Sequence, residues 1–121
     1  MNIVTWVVQI LLSFALLIPA IMKLTKPYEE FITKATWGED FSPTQLIIIG
    51  ILEALAIIGL NLPFLLKRFK KLVPISAAGL ILLFGGAIKT HIGRDEPFMV
   101  PLVLMAMALF VTYSRKDLLK A

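Results

Sequence analysis

The chain has 121 residues, of which 59% are hydrophobic and only 17% charged. Soluble proteins run at about 45–50% apolar and about 25% charged, and a domain this small leaves much of its surface wet, so the composition excludes an ordinary water-soluble domain. No cysteine is present, which removes disulfides, thiolate metal sites and thiol chemistry; the net charge of +4 takes its meaning from where the charges fall.

The first apolar stretch runs from Asn2 to Met22, with Thr5, Gln9 and Ser13 as its polar members. About 20 such residues at 1.5 Å each cross a bilayer core about 30 Å thick. The stretch lacks the basic start, short apolar core and small-residue end of a cleaved signal, so it is expected to remain as a span. Pro19 removes a backbone hydrogen bond and predicts a kink near its end. After it, Lys26–Lys34 predicts a short helix opened by Pro27, with Glu29 and Glu30 in its first turn, where the helix dipole favours acids. Tyr28, Phe31, Ile32 and Ala35 form one apolar face. This segment is expected to lie in the interface or over the mouth of the helices, the bland alternative being an exposed linker. Trp37 suits a headgroup-level anchor.

A second span is expected over Thr44–Leu66, with Ser42 as N-cap and Pro43 at the first helical position. A third is expected over 72–90 and a fourth over 97–113, opened in the same way by Val73-Pro74 and Glu96-Pro97. Met99, Met105 and Met107 on the fourth suit packing. Residues 1–121 therefore read as a single all-α domain, a four-transmembrane-helix bundle with a short interfacial helix after the first span.

With four spans, Lys67, Arg68, Lys70, Lys71, Arg115, Lys116 and Lys120 share one side, and Lys23, Lys26, Lys34, Lys89 and Arg94 the other. The compact cluster at 67–71 assigns both termini to the cytoplasm by the positive-inside rule. The same cluster fits contact with anionic lipid heads, and no recognition module accompanies it, so nucleic acid is not an expected partner.

Glu53 lies about 13 Å along the helix from Thr44, near the middle of the hydrocarbon, where a charge costs about 2.5–3.5 kcal/mol or more. It should face the bundle interior, be paired or be protonated. Gly50 and Ala54 share its face and are small enough to admit a neighbouring helix. On the third span Gly79, Leu82, Gly86 and Lys89 form a stripe, with Gly79 and Gly86 again read as close-packing positions. Lys23, Lys89 and His91 stand toward the outer side, and Glu53 would form the floor of a polar interior open to that side. Two readings fit: a small-molecule or proton site built from Glu53, Lys89 and His91 with Lys23 at the rim, or structural pairs that glue helices while lysines snorkel to water. A single histidine and no cysteine argue against a zinc, haem or iron–sulfur site, and no phosphate loop or nucleophile elbow is present. A quinone needs only an apolar slot and one or two polar groups.

Several segments in order resemble one family. They are Lys23 closing the first span, Ser42-Pro43, Gly50-Ile51-Leu52-Glu53, Gly59-Leu60-Asn61-Leu62-Pro63, Pro74-Ile75-Ser76-Ala77-Ala78-Gly79 and Gly86-Ala87-Ile88-Lys89-Thr90-His91. Together they are similar to the DoxX-like family of small membrane proteins. The resemblance implies a four-helix membrane bundle, with Lys23, Glu53 and His91 in a polar core. It links the chain to respiratory oxidase and thiosulfate–quinone systems, and more distantly to chaperones of ion-channel assembly. The expected function is a non-enzymatic bundle that binds an apolar small molecule (quinone or lipid), or else a membrane-protein partner or a second copy, as a respiratory accessory or assembly factor. The rival is a membrane enzyme acting on a lipid or quinone with Glu53 as proton donor or acceptor. A transporter would call for internal repeats, and none is visible. No cofactor is required beyond such a quinone. The expected location is a prokaryotic inner membrane, spanned several times, with both termini cytoplasmic.

Overall fold

The computed structural model describes residues 2–120, so the outer limits of the expected domain, at 1 and 121, lie outside the described residues. The described residues are helical throughout apart from short turns, with five α-helices: α1 Asn2–Thr25, α2 Tyr28–Lys34, α3 Pro43–Leu66, α4 Leu72–Gly93 and α5 Met99–Ser114. A 3-10 turn at Thr36–Asp40 follows α2 and another at Lys116–Lys120 follows α5.

Among the described residues three helices are long and apolar enough to cross a membrane, α1 over Ile3–Thr25, α3 over Pro43–Leu66 and α4 over Leu72–Gly93; α5 is apolar but shorter, at 16 residues. Their outward faces carry large bare side chains, among them Phe14, Leu65, Leu82 and Val100. In water such a surface would drive aggregation, whereas hydrocarbon accepts it at no cost. The chain is a membrane protein on these grounds.

Helix starts follow local chemistry. Ser42 caps α3 by accepting the Gln45 N–H at 3.1 Å, and the Gln45 side chain accepts the Ser42 N–H at 2.9 Å, a reciprocal capping box with Pro43 next in line. The other two openings differ from expectation. α4 starts at Leu72 and α5 at Met99, so Pro74 and Pro101 each stand third in their helices and Pro97 precedes α5 altogether. None of the first four N–H groups of a helix has an intrahelical partner, so proline is tolerated anywhere in that turn and marks it only to within a few residues. Pro19 sits inside a continuous α1 and Pro63 inside α3. α3 stops at Lys67, which takes the left-handed conformation (φ 56°), and the chain turns directly into α4.

The long helices form a closed ring of neighbours: α1 packs on α3 and α5, and α4 packs on α3 and α5, with α1 and α4 diagonal. Two halves of the ring differ. The half containing the α3–α4 turn holds the core, made of Leu12 and Leu16 from α1, Ala56 and Leu60 from α3, Val73, Ala77, Leu80 and Phe84 from α4, and Ala108 and Val111 from α5. At this end α3 and α4 touch through Gly59, where a Cβ would overlap the Ser76 hydroxyl. Polar groups knit the same end. Gln9 is fully buried; its Nε2 donates to the Leu60 carbonyl at 2.6 Å and its Oε1 accepts from Arg115 Nε at 3.3 Å. The Arg115 guanidinium lies 5.1 Å from the Trp6 ring and 5.0 Å from the Phe64 ring. The opposite half is hollow.

Candidate functional site

The hollow half holds a half-open cavity of about 380 Å³, lined by Lys23, Trp37, Glu53, Phe84, His91 and Leu104 among others. That volume falls in the range of small-molecule pockets. Its walls are apolar side chains of α3, α4 and α5, and its polar groups are few, as in pockets that bind a largely apolar ligand.

Glu53 and Lys23 supply the charges. Both are buried, with Glu53 only 5% exposed, and Lys23 Nζ donates to Glu53 Oε1 at 2.9 Å. Lys23 therefore bends inward from the end of α1 and does not snorkel. Gly50 makes this approach fit: a Cβ there would stand 2.9 Å from Lys23 Cβ and 3.1 Å from Leu24 Cγ, so glycine lets α1 and α3 close up one turn from the carboxylate. Ala54, next to Glu53, is half-buried. Among the described residues, Lys23 is the sole hydrogen-bond partner of Glu53.

The roof comes from the segment after α1. Phe31 on α2 is buried, Tyr28 and Ile32 are half-buried, and the Tyr28 hydroxyl donates to the Phe41 carbonyl at 2.8 Å, which ties the segment into a compact cap. Trp37, in the 3-10 turn, meets Phe31 and Phe41 edge-on, and Lys23 Nζ lies 5.3 Å from its ring centre. A cation near an indole face is stabilised by the ring quadrupole, so the roof and the floor share the lysine.

His91 reaches the rim through the way α4 ends. Asp95 adopts the left-handed conformation (φ 56°), its N–H bonds the Ile92 carbonyl at 3.1 Å, and the Glu96 N–H returns to the His91 carbonyl at 2.9 Å. This is a Schellman closure with aspartate in the usual glycine position. It folds Glu96 back so that Oε1 stands 3.0 Å from His91 Nδ1 and Oε2 is 3.3 Å from Arg94 Nε. Arg94 in turn binds Asp40 at 3.0 Å, and Thr36 donates to Glu96 at 3.4 Å, so the rim is laced to the roof segment. Desolvation works to raise the Glu96 carboxyl, but the His91 and Arg94 hydrogen bonds outweigh it and hold the group below its ordinary value. The His91 ring also stands 6.1 Å from Trp37.

Of the residues singled out from sequence, Lys23, Glu53 and His91 line one cavity. Lys89 does not join them; it is exposed and absent from the lining. The stripe Gly79, Leu82, Gly86, Lys89 is real as a face, and all four members are exposed, but Leu82 and Gly86 also border the cavity. A Cβ at Gly79 or Gly86 would meet nothing within 4 Å. The close helix contact expected at those glycines is instead at Gly59. Sequence reading missed Trp37 as a lining residue, since an indole in a linker reads equally well as a headgroup anchor. It also missed the Gln9–Arg115 bond, whose partners are 106 positions apart. Among the described residues no group of three or more histidine or acidic side chains is arranged to hold a metal ion.

An all-helical membrane protein with a buried Lys–Glu pair under an aromatic roof is the class that the fold and cavity define. Residues 7–112 match the DoxX-like family, and the chain belongs to that family. No curated protein and no solved structure matches it.

Proposed function

We propose that this protein is a four-span, non-enzymatic membrane bundle whose cavity holds an apolar small molecule, a quinone or a lipid, as part of a respiratory or redox accessory role. The observation that carries the reading is the cavity of about 380 Å³ with a buried ion pair on its wall. A half-open, apolar-walled pocket with a few convergent polar groups is the pattern of small-molecule sites, and it supports this reading.

The fourth span is α5. Its 16 residues reach about 24 Å, short of a full core, but the helix packs along α1 and α4 and shares their bare apolar exterior. The turn carrying Lys67, Arg68, Lys70 and Lys71 faces the cytoplasm together with both termini, and the cavity opens toward the outer leaflet. α2 and Trp37 then lie at headgroup level over the mouth.

Thermal unfolding in detergent tests the proposal. A short-chain benzoquinone added to the purified protein raises the unfolding temperature by mass action. Leu104→Trp, which fills the cavity, abolishes that rise. A wild-type protein that is indifferent to the quinone, and that carries no lipid or quinone by native mass spectrometry, overturns it.

A further inference from the structure

The outward glycines of α4 point to how a ligand gets in. α3 and α4 are joined by a short turn and touch at Gly59, yet along the same seam Gly79 and Gly86 face open space. A groove lined by Leu52, Leu55, Ala56, Ser76, Gly79, Leu80 and Leu83 runs on the outside of this seam. Leu83 lines the cavity as well, and beside it Gly86 and the 80% exposed Leu82 belong to both the cavity wall and the bare surface. Groove and cavity therefore share one stretch of wall, at Leu83 on the apolar length of α4.

We propose that the α3–α4 seam is a lateral entrance from the bilayer, through which a single-chain amphiphile sets a neutral oxygen-bearing head against Lys23 and Glu53 and lays its apolar tail along the Gly79–Gly86 face of α4. The inference rests on the cavity binding a small molecule and adds the chemistry and the route. The head is neutral because Lys23 and Glu53 already compensate each other, and a charged head would leave one buried charge unmatched. It carries a carbonyl or hydroxyl, because lysine offers further N–H donors and the carboxylate a second acceptor oxygen. The tail is a single chain, which the one face of α4 floored by Gly79 and flanked by Leu52, Leu55 and Leu83 accommodates. Surrounding lipid is as apolar as the groove, so the tail contributes orientation and the head contributes preference. The cavity also reaches Val100, on the exposed side of α5, which is the competing doorway.

The test uses the full chain in liposomes with a long-chain alkyl benzoquinone that carries a photoactivatable diazirine midway along its tail. Cross-links mapped by mass spectrometry are expected on the 79–86 and 52–56 segments. Gly79→Leu and Gly86→Leu, at positions where an added Cβ meets nothing within 4 Å, do not lower the unfolding temperature and remove those cross-links. Val100→Trp leaves them in place. Loss of cross-linking in Val100→Trp alone, or labels confined to other helix faces, overturns the entrance. A tailless benzoquinone separates the two claims. If it stabilises the protein while the tailed probe leaves the seam unlabelled, the cavity reading stands and the entrance fails. If neither probe binds, both fail.

Discussion

At the turn end of the protein, Gln9, Leu60, Arg115, Trp6 and Phe64 are locked together and Gly59 presses on Ser76. At the mouth end a cavity opens between the helices, while α1 and α3 stay together through the close approach at Gly50 and, among the described residues, the Lys23–Glu53 pair. The contrast teaches that one set of helices serves two physical tasks. Close contact at one end fixes where the helices are, and this permits the other end to stay open without collapse.

The contrast can be broken by substitutions, beginning at the open end. Lys23→Met strands the Glu53 carboxylate in an apolar setting, and breaking a buried pair in this way costs about 3–5 kcal/mol. The double variant Lys23→Met/Glu53→Leu recovers most of it, so a double-mutant cycle on unfolding in detergent reads the pair directly. If the single variant is as stable as the wild type, the pair does not hold the mouth together. At the closed end, Gly59→Leu forces α4 away and costs about 1–3 kcal/mol. Gly79→Leu, one turn along α4 from Ser76 but on its outward face, does not lower the unfolding temperature, and equal losses at the two glycines would show that Gly59 marks no special contact. Gln9→Leu removes a buried bridge between α1 and α3 and costs about 1 kcal/mol by the same measurement.

The smallest effect is on pH. The carboxyl of Glu96 is held below its ordinary value of 4.5. A depressed carboxyl adds stability that is fully present above 4.5 and is lost as pH falls through the lowered value. The roof segment, tied to Glu96 through Thr36 and to Arg94 through Asp40, then loosens in acid before the rest of the fold. Faster amide exchange at 36–40 in acid than in Glu96→Gln at the same pH, relative to their rates at neutral pH, is the expected sign. Parallel pH profiles in the two proteins would show that Glu96 does not tether the roof.

Much of the fold was legible because a span announces itself by length and apolar content, and Ser42-Pro43-Thr44-Gln45 spells out a capping box. Glu53 drew attention because an acid at that depth needs a reason. What the sequence concealed was distance between helices. Gly50, Gly59, Gly79 and Gly86 look alike as small residues, yet two meet a neighbour and two meet open space. Periodicity defines a face but not what stands opposite it, which is why Lys89 read as a wall residue and emerged outside. His91, two residues on, points to the cavity because two positions on a helix turn the side chain through about 200°.

Each of the two tryptophans stands beside a cationic side chain, Trp6 with Arg115 at the turn end and Trp37 with Lys23 at the mouth. The protein thereby carries its own pair of optical probes, one per end. In Trp6→Phe all indole emission comes from the roof of the cavity, and in Trp37→Phe all of it comes from the locked end. A colour change confined to the first variant on adding a ligand reports filling of the hollow half, with the second as the internal blank.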